Sequence, residues 1–128
     1  MANKVDWAGV HAEATHAGEA AYHAAAPTPM VVGDAKSITS NEIDYTKPTY
    51  YVADGVCGFA WVDVYPARGA FITWCKRNGV GRKGYPSGWN IWVRTNCQSY
   101  ERKTAYARAY AGVLKAHGIR AYAGGRLD

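Results

Sequence analysis

The order of three segments near the C-terminus limits the fold more than anything else in the chain: WNIWVR, then SYERKTAYARAYAGVLKAHG, then IRAYA. Aromatic and β-branched residues make Trp89–Arg94 a strand. Ser99 supplies an N-cap for a long helix over Tyr100–His117, Gly118 closes it, and Ile119–Ala123 alternates like a final strand. At about 100° per residue, Tyr100, Tyr106, Ala107, Tyr110, Ala111, Val113 and Leu114 share one arc, the side expected to meet a core. Glu101, Thr104, Arg108 and Lys115 lie opposite. A stripe of Ala105, Ala109, Gly112 and Ala116 lacks bulk and offers close approach to another helix, between subunits included.

A long helix flanked by strands needs further strands to build a sheet, and the sequence upstream supplies them. Ala70–Asn78 (AFITWCKRN) sets Phe71, Trp74 and Cys75 at i, i+3, i+4 before Gly79, which predicts a short helix with a glycine C-cap. TYYVA and CGFAWVDVY flank Asp54-Gly55, which predicts a β-hairpin. A short strand is expected near Met30–Val32, with a loop through Lys47-Pro48. Residues 5–25, rich in Ala, Glu and His, predict a helix ended by Pro27 and Pro29. With few large apolar residues, the N-terminal segment 1–29 is expected on the surface or against a neighbouring chain. The whole is a single α+β domain over 1–128: a mostly antiparallel sheet, helices packed on one face, and a long C-terminal helix followed by a short strand. Phe59, Trp61, Phe71 and Tyr110 are the expected core aromatics.

With 48% hydrophobic and 20% charged residues the chain has a globular composition, and it contains no run of ~18 apolar residues that would cross a membrane. The start MANKVDWAGV lacks a basic segment followed by an apolar run, so a cytoplasmic setting is expected. Cys57, Cys75 and Cys97 match neither a disulfide framework nor paired zinc ligands and are expected to be reduced packing residues. His16, Glu19 and His23 share a helical face too loosely for a metal site, and no metal or other cofactor is expected.

The net charge of +5 is unevenly distributed. Residues 1–67 hold three lysines against eight acids, whereas residues 68–128 hold twelve Lys and Arg against Glu101 and Asp128. An anionic partner would dock on the second half. Within that half, GVGRKGYPSG (79–88) contains G-x-G-x-x-G, but it follows a helix and leads through Pro86 into a strand, the reverse of the dinucleotide fingerprint. Its glycines are expected to serve a turn, with Arg82 and Lys83 held out beside Trp89 and Asn90. Around it, cations interleave with aromatics, the composition that pairs with phosphate and stacks on bases. Catalytic groups are scarce: the basic half holds no carboxylate pair for acid-base chemistry, and only coexistence links Cys97 with His117. The expectation is a binding protein and no enzyme.

GFAWV, GWNIWV, SYERKTAYARAYAGVLKAHGI and the ending AYAGGRLD give residues 50–128 a resemblance to small bacteriophage proteins, the anti-Thoeris sponges that sequester cyclic ADP-ribose signals. The resemblance implies an oligomeric antiparallel-sheet protein of the host cytoplasm that captures a cyclic nucleotide without degrading it. It implies a pocket at positions similar to Asn90, Arg108 and Arg126, with Arg102 as the alternative match to Arg108, and with Phe71, Trp74 or Trp89 as the stacking aromatic. Arg82 and Lys83 complete the expected ligand-binding set. The N-terminal Ala/His-rich helix has no counterpart in that resemblance. Capture of a cyclic nucleotide is the leading expectation, and the runner-up, on the same residues, is a small basic phage protein that binds nucleic acid along a groove.

Overall fold

The computed structural model describes residues 5–27, 29–33, 47, 49–52, 55–95 and 99–128. Cys97 and Asp54 lie outside the described residues. In chain order the elements are α1 (Trp7–Ala24), β1 (Met30–Gly33), β2 (Thr49–Val52), β3 (Gly58–Tyr65), α2 (Ala70–Asn78), β4 (Arg82–Lys83), β5 (Trp89–Trp92), α3 (Tyr100–Ala116) and β6 (Arg120–Leu127).

Four strands form one antiparallel sheet in the order β4-β5-β3-β6. Helix α2 carries the chain from β3 past β5 to β4, and α3 carries it from β5 past β3 to β6. Each crossing skips one strand, which makes residues 58–127 a β-α-β-β-α-β unit of the split type. This is the α+β architecture with helices on one face that the segment order implied. β1 and β2 pair separately as an antiparallel ribbon, Met30 opposite Val52. The expected hairpin between the second and third strands is therefore absent: β2 pairs with β1, while β3 takes β5 and β6 as neighbours.

The helices are where their end signals put them. Ser99 Oγ accepts from the Arg102 backbone N–H at 3.3 Å, and Gly79, in the left-handed region at φ 68°, ends α2. Such a φ strains any side chain, so a glycine suits that position. In α1, Asp6 Oδ1 accepts from Gly9 N at 3.0 Å.

Burial alternates along β3: Gly58, Ala60, Val62 and Val64 are buried, and the residues between them are half-buried. The inward set packs with Ile91 and Ala121 of the sheet, Phe71, Ile72 and Cys75 of α2, Val10 and Ala14 of α1, and Ala107, Tyr110 and Leu114 of α3. Phe71 and Tyr110 are core aromatics as expected. Phe59 and Trp61 are not, because strand alternation turns both away from the helices.

The arc drawn for α3 holds at Ala107, Tyr110, Ala111 and Leu114, but Thr104, placed opposite, is buried, since its hydroxyl donates to the Tyr100 carbonyl at 2.6 Å. Helix α1 runs antiparallel to α3 along Arg102, Tyr106, Tyr110 and His117, where Gly18 meets the Tyr106 ring. The small-residue stripe does not carry this contact at Gly112, which faces open space. The final strand is longer than Ile119–Ala123. Its Gly-Gly pair continues the ladder because Trp61 lies over Gly124 and Tyr100 over Gly125, leaving no room for a Cβ at either.

Candidate nucleic-acid interface

The register of the sheet composes its outer face, the one turned from the helices. From β3 this face receives Phe59, Trp61, Asp63 and Tyr65. Trp61 stands opposite Trp92 and Asp63 opposite Asn90 on β5. On the β6 side, Phe59 faces Arg126, Trp61 faces Gly124, Asp63 faces Tyr122 and Tyr65 faces Arg120. Arg82 of β4 stands opposite Asn90. The two central strands thus bring three aromatic rings together.

The Trp61 and Trp92 ring centroids are 4.7 Å apart, and Phe59 meets Trp92 edge-on at 6.2 Å. Cations ring this cluster. Arg82 lies 5.0 Å from the Trp92 centroid and Arg126 5.3 Å from that of Phe59. At the β6 edge, Lys115 and Arg120 lie 5.2 and 5.8 Å from Tyr122. The Arg120 Nε donates to Tyr122 Oη at 3.0 Å, which raises the guanidinium pKa further. Cations over aromatic faces keep both groups in place while leaving N–H donors for a ligand.

Asp63 is the one acid among the described residues of this face. Its Oδ1 accepts from Asn90 Nδ2 at 2.6 Å and its Oδ2 from Trp61 Nε1 at 3.1 Å. It fixes the tryptophan ring and the amide in one orientation. The Asn90 amide oxygen, the acceptor left over, is what a base edge can meet. Among the described residues, no three His, Cys, Asp or Glu converge to hold a metal.

At the rim, where β5 ends, lies a pocket of about 340 Å³ lined by Phe59, Arg82, Trp92, Arg94 and Lys103 among others. Lys103 reaches it from the first turn of α3, donating to the Gly58 carbonyl at 3.2 Å with its ammonium 5.4 Å from the Phe59 ring.

Of the residues singled out in the sequence, Arg82, Asn90 and Arg126 share the outer face. The others do not join them. Phe71 is a core residue, and Trp74 is half-buried between Phe71 and His11. Trp89 turns inward, buried, with its Nε1 donating to the Val80 carbonyl at 3.0 Å. Arg102 ties α1 to α3 by donating to the Tyr22 carbonyl at 2.9 Å. Arg108 is exposed on the helix layer beside Ala25, Tyr100 and Thr104. Lys83 stands at the sheet edge beside Pro86 and Tyr65. The set therefore does not form a single pocket.

The GVGRKGYPSG segment gives a glycine helix cap and a turn, as its sequence order implied, but Arg82 and Lys83, expected on a loop, form the two-residue strand β4 paired with β5. Phe59, Trp61, Trp92, Arg94 and Lys103 were missed as site residues. The signal for the first two was present: in GFAWVDVY the small and β-branched residues alternate with Phe, Trp, Asp and Tyr, and only one of those two sets fits a helix-packed core.

No family model, no curated protein and no solved structure matches the chain.

Proposed function

We propose that the outer face binds single-stranded nucleic acid, with bases stacked on Phe59 and the Trp61–Trp92 pair and phosphates held by Arg82, Arg126, Arg120 and Lys115. One observation carries this: half-buried aromatics sit on the outward side of the two central strands of a four-stranded antiparallel sheet, with cations against them. Every base has a π-face, so an open cluster of rings accepts a strand without a closed pocket. RNA recognition motifs stack two or three bases on rings placed in this way. The likeness is one of site chemistry, since fold alone does not decide function. Asn90, held by Asp63, would read one base edge.

A second reading is capture of a cyclic nucleotide signal by an oligomer, without degradation. It is supported by the resemblance to phage sponges and by Asn90 and Arg126 sharing one face, and it is weakened by Arg108 lying in the helix layer.

Titration of fluorescent single-stranded RNA and DNA oligonucleotides, beside cyclic ADP-ribose isomers, separates the two. The nucleic-acid reading expects affinity that rises with length and falls steeply with salt, by ~0.7 log unit per phosphate contacted for each log unit of salt. Capture of a small cyclic ligand expects tight, weakly salt-dependent, stoichiometric binding, with the ligand recovered unchanged. Absence of oligonucleotide binding at low salt would remove the first reading.

A further inference from the structure

Lys103 is 5% exposed, yet its ammonium has one hydrogen bond, to a backbone carbonyl, and one aromatic face. An ammonium carries three donors, and this one forms no ion pair among the described residues. Buried charges in proteins are ordinarily paired, because desolvation without a counter-charge is costly. The sheet explains how the group gets there. β5 ends at Trp92, opposite Trp61, and Val93 N donates to Ala60 O as the last bond on that side of β3. Beyond it the Gly58 carbonyl lacks a strand partner, and Lys103 takes it.

Lys103 does not stand alone at this rim. The pocket of about 340 Å³ that it lines also receives Arg82 and Arg94, with Phe59 and Trp92 as aromatic walls, and no acid lines it among the described residues. Three cations and no carboxylate make a site that lacks an anion. We propose that this pocket is a phosphomonoester site that takes the phosphorylated end of a strand lying on the outer face. The strand in this proposal rests on the nucleic-acid reading above; the phosphate chemistry does not.

A phosphate within a strand carries one charge and is bridged on both sides. A terminal phosphomonoester carries close to two charges at neutral pH and presents three oxygens, a better match to three cations lining one pocket. Phe59 and Trp92 stand where the last base or sugar would pack, and both belong to the aromatic row on which the preceding bases would stack. The pocket lies where the sheet stops, so a strand that ends there has its terminal phosphate at the cations. A free nucleoside monophosphate offers the same chemistry, and the experiment separates the two sources.

Binding is measured by fluorescence anisotropy for oligonucleotides of about eight nucleotides and identical sequence, ending in 5′-phosphate, in 3′-phosphate or in hydroxyls alone. Ribose 5-phosphate is titrated separately by tryptophan fluorescence. Each is repeated with Lys103→Met, which keeps the buried stem and removes the charge, with Lys103→Arg as the conservative variant and thermal melting as the check on folding. One phosphorylated end is expected to bind about tenfold more tightly than the hydroxyl-ended strand, the value of one strong charge-assisted hydrogen bond. Lys103→Met is expected to collapse that ratio and Lys103→Arg to retain most of it. Equal affinity for all three ends overturns the proposal and leaves the stacking face intact. If no oligonucleotide binds but ribose 5-phosphate does, and Lys103→Met abolishes it, the pocket is a phosphate site for free nucleotides and the strand reading fails. If Lys103→Met folds and leaves the ratio unchanged, Lys103 is a packing residue and the proposal is wrong.

Discussion

Trp61 and Trp92 face each other across the β3–β5 register with ring centroids 4.7 Å apart and planes tilted by 35°. Both rings belong to the outer face, and neither is needed to close the core beneath them. Trp61→Ala and Trp92→Ala should therefore act on binding more than on folding. Loss of a stacking ring costs roughly 1–3 kcal/mol per base, about 5- to 150-fold in Kd. An inward neighbour, Ile91→Ala, should do the opposite, lowering stability by about 2–5 kcal/mol with unchanged affinity in the folded fraction. Anisotropy titration beside urea unfolding checks both, and equal effects of the three variants on affinity would count against the outer face as the binding surface.

Gly124 offers a test that substitutes none of the side chains proposed to contact the ligand. A Cβ at this position would lie 2.5 Å from Trp61 Nε1 and 2.9 Å from Asp63 Oδ2. Gly124→Val, otherwise favourable in a strand, should push the indole off Asp63 and out of the row. The expected outcome is a shifted Trp61 indole N–H resonance and a Kd weakened about as much as by Trp61→Ala. An unmoved indole resonance would show that the ring does not depend on the glycine for its place.

The sequence made some of this legible because the signals were local. Ser99, Gly79 and Gly118 mark helix ends through hydrogen bonds and backbone angles that a few residues determine: α2 ends one residue before Gly79, and α3 runs from the residue after Ser99 to two residues before Gly118. The sheet order is different, since it depends on which strands meet across long separations. The Asp54-Gly55 turn signal predicts a hairpin that does not form because β3 has competing partners 25 to 69 residues downstream. The site was misplaced for a related reason. Cation and aromatic counts do not say which side of a strand a ring is on, so they do not separate Trp89, whose indole bonds Val80, from Trp61, three rungs further along the sheet and facing outward.

Cys75 and Cys57 differ in environment enough to be told apart chemically. Cys75 is fully buried, and burial pushes its thiol up to about 12, whereas Cys57 is exposed. Only the thiolate attacks an alkylating agent. In a Cys97→Ser background, iodoacetamide at pH 8 should label Cys57 rapidly and Cys75 only in denaturant, as read by peptide mass mapping. Comparable labelling rates for the two would mean that α2 opens readily from the core.

The contact between α1 and α3 has a pH dependence that follows from His11. Its Nδ1 lies 2.6 Å from Tyr110 Oη, and its ring packs 5.2 Å from that of Trp74. Burial raises the Tyr110 pKa, so the phenol stays neutral and donates. Burial also lowers the His11 pKa, and a neutral imidazole with Nδ1 as acceptor is the form that fits. In the unfolded chain the same histidine takes up its proton near its ordinary value of 6.5. Below that pH the unfolded state binds the proton first, so stability falls as the pH drops and levels off once the folded pKa is passed. His11→Gln keeps an acceptor for Tyr110 and removes the titration. Urea unfolding between pH 7.5 and pH 5 should therefore show a shallower acid-side loss in His11→Gln than in the parent chain, while affinity for a strand on the outer face is the same in both. Parallel stability curves for the two proteins would mean that His11 does not control the docking of α1.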